Sequence, residues 1–137
     1  LVRTECEKDS DLEQKIIHIE RDLYVLMAEL ATDPSKHDKL ESGKNKVNEE
    51  MINFLEKFID EISSRFELPQ EFVIPGQNRI SALIDVARTV VRRAERRTIS
   101  CEIKDSLVVP YLNRLSDLLW AMARWQEGES IKSRSVK

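Results

Sequence analysis

Glycine, proline and cysteine are all scarce in this 137-residue chain, with three, four and two copies respectively. Three glycines leave neither a GxGxxG nor a Walker A loop, so any nucleotide must be bound without a glycine-rich phosphate cradle. Cys6 and Cys101 are too few for a disulfide framework, and neither has a second Cys or a His at ligand spacing. That usage points to a reducing, cytoplasmic setting. His18 and His37 are likewise isolated, which gives no support to a His-based metal site. No apolar run approaches the roughly 18 residues of a membrane span, so an integral membrane protein is not expected. What the chain does have is charge, at 34%, beside a 41% hydrophobic set, the balance of a helical domain with a core of its own.

The formal net charge of −3 hides an uneven distribution. Residues 1–78 carry 10 basic and 18 acidic groups. Residues 79–97 carry Arg79, Arg88, Arg92, Arg93, Arg96 and Arg97 against only Asp85 and Glu95. A compact arginine cluster in an acidic chain suits a specific anionic ligand better than a nucleic-acid surface, which is usually broader.

Helical periodicity organises the rest. Leu12, Ile16, Ile19, Leu23, Leu26 and Leu30 alternate steps of four and three, a packed helix seam capped by Asp9 or Ser10 and ended at Pro34. Residues 31–46 read as a polar, mobile connection. Met51, Leu55, Phe58, Ile62 and Phe66 mark a second helix capped by Asn48. The segment from Leu68 to Asn78, with Pro69, Pro75 and Gly76, must break helical structure yet is apolar at Phe72, Val73 and Ile74. A third helix spans about Arg79 to Arg97, and a fourth about Asp105 to Gln126, opened by an Asp or Ser cap with Pro110 early in it. The tail after Gly128 reads as polar and frayed, and no strand signal is present. The expectation is an all-α, antiparallel helical bundle, a single domain over 1–137, with faces wide enough for an oligomer.

On a helical wheel the apolar set Ile80, Leu83, Ile84, Ala87, Val91 and Ala94 forms the expected core stripe of the third helix. Arg88, Arg92 and Glu95 then share one row at its border, Arg93 and Arg97 point away, and Arg96 lies between. Guanidinium groups at a core border, partly desolvated, suit phosphate oxygens, and a glutamate among them can accept from a ligand hydroxyl or amine. Two other readings stay open: a ladder of Arg–Glu salt bridges joining helices, and a nuclear-localisation or nucleic-acid patch, against which the acidic remainder argues. In the fourth helix Val108, Tyr111, Leu115, Leu118 and Met122 are core positions, flanked by Leu112 and Leu119. Asn113, Asp117, Trp120 and Arg124 fall on the opposite side, where a Trp between an Asp and an Arg fits a neighbouring subunit or a ligand better than open solvent.

The stretch FVIPGQNRISALIDVARTVVRRAERR, followed by YLNRLSDLLWAMAR, resembles the signature of the PduO-type ATP:cob(I)alamin adenosyltransferases. The likeness extends from the second helix to Arg124, and LYVLMAELAT at the end of the first helix also fits. The resemblance implies a ferritin-like up-and-down bundle of five helices, four of them present here, assembled as a homotrimer with active sites between subunits. It implies transfer of the 5′-deoxyadenosyl group of ATP to the cobalt of cob(I)alamin, with Mg²⁺ carried by ATP and no metal held by the chain. By motif, Arg88 and Arg92 correspond to active-site arginines, with Arg92 facing the polyphosphate. Glu95 and Asn113 hold the nucleotide, Asp117 lies near them, and Arg93 and Arg96 match further nucleotide-site arginines. Phe72 matches an aromatic residue set against the lower face of the corrinoid, where it excludes the nitrogenous lower ligand. A corrinoid reductase and an adenosylcobalamin-dependent acceptor enzyme are the partners this implies, with no nucleic acid and no membrane.

One departure stands out. The family opens with a glycine-containing segment similar to TRTGDxG that wraps the ATP phosphates, followed by a helix bearing an acid for the intersubunit contact, and neither is present. With Leu1 at the start, the expectation is a missing N-terminal segment and weak or absent activity of these residues alone. The competing expectation is a non-enzymatic helical oligomerisation module with structural Arg/Glu rows.

Overall fold

The structure, a computed structural model, describes residues 1–133. It is mainly helical: a 3₁₀ turn at Val2–Glu5 precedes α1 (Asp11–Ala31), α2 (Glu49–Arg65), α3 (Arg79–Ile99) and α4 (Val108–Glu127). Two short strands, β1 (Val73–Ile74) and β2 (Ile131–Lys132), pair antiparallel. No helix among the described residues is long and apolar enough to cross a membrane.

Three helix starts are fixed by side chains that satisfy otherwise unpaired backbone donors. Ser10 accepts from Glu13 N–H at 3.2 Å, Asn48 from Met51 N–H at 3.0 Å, and Asn78 from Ser81 N–H at 2.9 Å. Ser81 closes a capping box by accepting from Asn78 N–H. The start of α4 differs from expectation. Neither Asp105 nor Ser106 is its N-cap, which is Leu107 without a capping side chain. The Ser106 hydroxyl is spent on the buried Glu29 carboxylate and on Val108 N–H. Beginning at Val108 also puts Pro110 in the first turn, where its missing N–H removes no helical bond.

Cross-helix contacts set the directions. Glu29, near the end of α1, accepts from Val47 N–H at 2.7 Å and from Ser106, so α1 ends where α2 and α4 begin. Lys15, near the start of α1, reaches Glu61 near the end of α2 at 3.2 Å. Asn113 meets Glu95, while Arg124 meets Asp85, so α4 runs antiparallel to α3. The core lies between these helices around Leu55, Ile84, Tyr111, Leu115, Leu118 and Met122, all fully buried. Each aliphatic side chain among them contributes about 1.5–3 kcal/mol of transfer free energy.

Three further expectations are corrected. The connection after α1 contains a 3₁₀ helix at Pro34–Lys39, and Gly43 N–H donates to Lys46 C=O at 2.7 Å. The segment after Gly128 is paired through Ile131 and Lys132, while residues 134–137 lie outside the described residues. On α3, Ala94 is exposed while Ser81, Ile84, Glu95 and Thr98 are buried, which turns the core face toward the Arg88–Glu95 row. The cause is that three of the buried positions, Ser81, Glu95 and Thr98, are polar and fall outside an apolar stripe, while Val86 and Val90 form a second apolar side, 56% and 47% exposed.

Candidate functional site

Pro69 and Pro75 keep the α2–α3 connection out of helix and leave Phe72 at its tip, 84% exposed. Between this loop and the α3–α4 pair lies an open groove of about 890 Å³. Phe72 and Val73 form its rim, Asp85, Arg88 and Thr89 line it from α3, and Trp120 and Arg124 line it from α4.

The floor of the groove is a charge cluster. Arg124, on the α4 face expected to meet a subunit or a ligand, is only 2% exposed. Its Nη2 lies 2.6 Å from Asp85 Oδ2 and 2.9 Å from Glu127 Oε1, so its charge is offset twice. Its guanidinium also stands 5.7 Å from the centroid of the half-buried Trp120 ring. Arg88, in contrast, makes no hydrogen bond or ion pair with any described residue. Such a guanidinium keeps its donors for a ligand.

One turn along α3 lies a second cluster. Arg92 Nη1 donates to Glu95 Oε2 at 2.6 Å, and Asn113 Nδ2 donates to Glu95 Oε1 at 2.9 Å. Glu95 is buried, held by charge-assisted bonds from two helices, while the Arg92 and Asn113 side chains remain accessible. The structure therefore brings Phe72 and Arg88 to one groove, and Arg92, Glu95 and Asn113 to a polar cluster beside it.

The remaining candidates stand apart. Arg93 and Arg96 are exposed and unpaired among the described residues. Asp117, in the same row of α4 as Asn113 and Trp120, accepts from Arg114 Nη1 at 3.1 Å, and Arg114 Nε donates to Glu56 on α2 at 3.1 Å. Those hydrogen bonds, to Glu56 first and then Asp117, raise the Arg114 pKa. Among the described residues no group of three or more His, Cys, Asp or Glu side chains is placed to hold a metal ion.

Sequence reasoning missed Asp85, Arg124 and Glu127 as a unit. Its signal was present but weak: Asp85 lies one turn before Arg88, and Arg124 lies between Trp120 and Glu127 at steps of four and three.

A groove rimmed by an aromatic ring, floored by a neutralised guanidinium and a Trp face, and flanked by unspent arginines can hold a broad apolar ring beside a polyanion. The comparisons with known proteins point the same way. The chain is 40% identical over 124 residues to a corrinoid adenosyltransferase of Citrobacter freundii, covering 88% of this chain and 68% of that protein. It is 33% identical over 117 residues to a corrinoid adenosyltransferase of Bacillus subtilis, covering 83% of this chain and 58% of that one. In fold, it matches a variant of the PduO-type ATP:corrinoid adenosyltransferase of Lactobacillus reuteri, complexed with cobalamin and ATP. That match has a TM-score of 0.84 at 24% identity, over 99% of this chain and 76% of the other. A second variant of the Lactobacillus enzyme, complexed with ATP, matches with a TM-score of 0.81 at 25% identity, over 97% and 77% of the two chains. The family profile described as cobalamin adenosyltransferase spans residues 1–126, which takes in the loop, the arginine helix and its partner α4, and the chain belongs to that family.

Proposed function

We propose that this chain transfers the 5′-deoxyadenosyl group of ATP to the cobalt of cob(I)alamin, forming adenosylcobalamin and releasing triphosphate. The observation that carries the reading is the row along α3. Unpaired Arg88 faces the groove, and one turn away Arg92, Glu95 and Asn113 form a linked polar cluster.

In this reaction the electron pair of the cobalt substrate attacks C5′, the C5′–O bond breaks, and its electrons leave with the triphosphate. No proton moves at the attacking atom, so a catalytic His or Cys is not required. What the protein must supply is position and fixed positive charge for the departing oxygens. Arg92 faces the polyphosphate, Arg88 stabilises charge at the groove end, and Glu95 and Asn113 orient the nucleotide. Arg93 and Arg96 add positive charge nearby, and Asp117 supports the site through its place on α4. Phe72 lies against the lower face of the corrinoid, excluding water and the nitrogenous lower ligand, which eases reduction of the substrate.

We read the assembly as a homotrimer of ferritin-like bundles with sites between subunits, in the cytoplasm, with Mg²⁺ arriving on ATP. A corrinoid reductase and an adenosylcobalamin-dependent enzyme stand on either side of the reaction. The unpartnered Val86 and Val90 on α3, and Tyr24 and Met27 on α1, support a subunit contact, since apolar side chains on helix faces favour cover by another chain. A second reading, a non-enzymatic helical assembly module, draws on the Arg92–Glu95 pair at one-turn spacing, which also suits a structural salt bridge. The visible spectrum of cob(I)alamin incubated with Mg-ATP and the full-length protein separates the two. Conversion to the adenosylated form is expected, and intact trimers without conversion would leave only the assembly module.

A further inference from the structure

The exposed Phe72 loop has little of its own to hold it in place. Its ties run to the end of α4. Ser133 N–H donates to the Phe72 carbonyl at 2.8 Å, and Val73 and Ile74 pair with Lys132 and Ile131. Lys132 Nζ lies 3.8 Å from Glu71 Oε1, and at the loop's far end Asn78 Nδ2 donates to Gln126 C=O at 2.9 Å. The chain reaches this position by reversing at Gly128, whose φ of +76° is open to glycine at little cost. The strap is anchored in turn to the groove floor. Ser130 Oγ donates to Glu127 Oε2 at 2.6 Å, and the other Glu127 oxygen is the one beside Arg124. Ser133 itself lines the groove.

We infer that residues 129–133 are a positioning strap: through the Ser133 N–H to Phe72 C=O bond they set the place of Phe72 over the groove, so the corrinoid step depends on them and nucleotide binding does not. This rests on the adenosyltransferase reading for its kinetic consequence, but not for its structural one. The separation follows from distance along the fold, because the strap touches the Phe72 loop and the Arg124 cluster while, among the described residues, the Arg92, Glu95 and Asn113 side chains are hydrogen-bonded to one another. A reacting centre displaced by a fraction of its radius loses rate far beyond the energy of the contact that held it.

A single backbone donor can be deleted to test this. Ser133→Pro removes the N–H, and its restriction of the preceding residue to extended backbone suits Lys132, which is already in a strand. Glu129→Ala, at an exposed strap residue outside the groove lining, keeps the bond and serves as the control. In Ser133→Pro, hydrogen exchange of the amides at 71–74 should rise about tenfold, the equilibrium worth of one hydrogen bond. kcat for cob(I)alamin at saturating ATP should fall by about tenfold or more, with KM for ATP and the melting temperature unchanged. Glu129→Ala should match the parent in all four. Unchanged exchange at 71–74 would overturn the strap, and so would raised exchange with unchanged corrinoid kinetics. If the parent protein transfers no adenosyl group at all, the function reading has failed, and the exchange result alone decides whether the strap holds the loop.

Discussion

Helix α4 buries ionisable groups on two seams and treats them in opposite ways. Toward α1 the groups are closed on one another. Glu29 is 1% exposed and accepts from a backbone N–H and a serine hydroxyl, and the buried Asp22 accepts from the Tyr111 hydroxyl at 3.0 Å. His18 stands 3.5 Å from the same Asp22 oxygen and stacks on Phe54. Toward α3 the pairing is incomplete by design of the sequence. Asp85, Glu127 and Glu95 hold Arg124 and Arg92, but Arg88 has no acid to meet among the described residues, and Arg92 keeps an accessible edge. A network closed largely on itself, as toward α1 for all but His18 Nε2, contributes stability and specificity of packing, whereas accessible spare donors are left to water until a ligand takes them up. The spare donors, more than the amount of charge, separate a binding seam from a structural one.

That contrast can be broken first at the groove. Arg88→Ala should cut adenosyl transfer by about 100-fold or more, the usual cost of losing one fixed donor to developing charge, with the melting temperature within a few degrees of the parent. Comparable loss of stability and activity together would make Arg88 structural. On the seam toward α1 the effects should exchange places. Glu29→Ala strands Val47 N–H and the Ser106 hydroxyl and should cost about 2–4 kcal/mol in denaturant unfolding, while leaving kcat per folded molecule unchanged.

A smaller effect follows from Asp22. Burial pushes its carboxyl above the ordinary 3.8, against the opposing pull of the Tyr111 hydroxyl and of His18. In the window between the unfolded and the raised folded value the native state holds the extra proton, so this group's contribution is full below pH 3.8 and is lost as pH rises through the folded value. Asp22→Asn should remove that slope, gaining stability over the parent as pH is raised from acid toward neutral. Parallel curves would show that Asp22 is not the group responsible. Burial, with the Asp22 charge next, likewise raises the Tyr111 hydroxyl, which stays a donor throughout. The least effect is expected at Asp117→Asn. Its pair with Arg114 is half exposed, so it should change stability by less than about 1 kcal/mol.

The helices were legible in the sequence wherever a local rule decided them. Ser10, Asn48 and Asn78 are caps because their side chains serve donors three residues on, and the α4 seam from Val108 to Met122 is buried as its spacing requires. Local rules stop working where a distant partner competes. The Ser106 oxygen still accepts from Val108 N–H, but its proton goes to Glu29, 77 residues away, a partner no local rule supplies, and the N-cap falls at Leu107. The wheel placed Glu95 only at the border of the core, because it could not know that Arg92 and Asn113 would neutralise it there. The pairing of Arg124 was out of reach for the same reason, since its acids come from α3 and the next turn of α4. The β1–β2 pairing was not visible at all. Two residues a side carry no periodicity, and their register depends on where α4 ends and on the turn at Gly128.

Arg92 gives the most direct test of the whole account. In Arg92→Ala, turnover of cob(I)alamin with Mg-ATP and the size of the assembly are measured on one preparation. The account predicts that adenosyl transfer is abolished while the assembly keeps the size of the parent. An assembly that falls apart, or full turnover without the guanidinium, would contradict it and return the arginine row to a structural role.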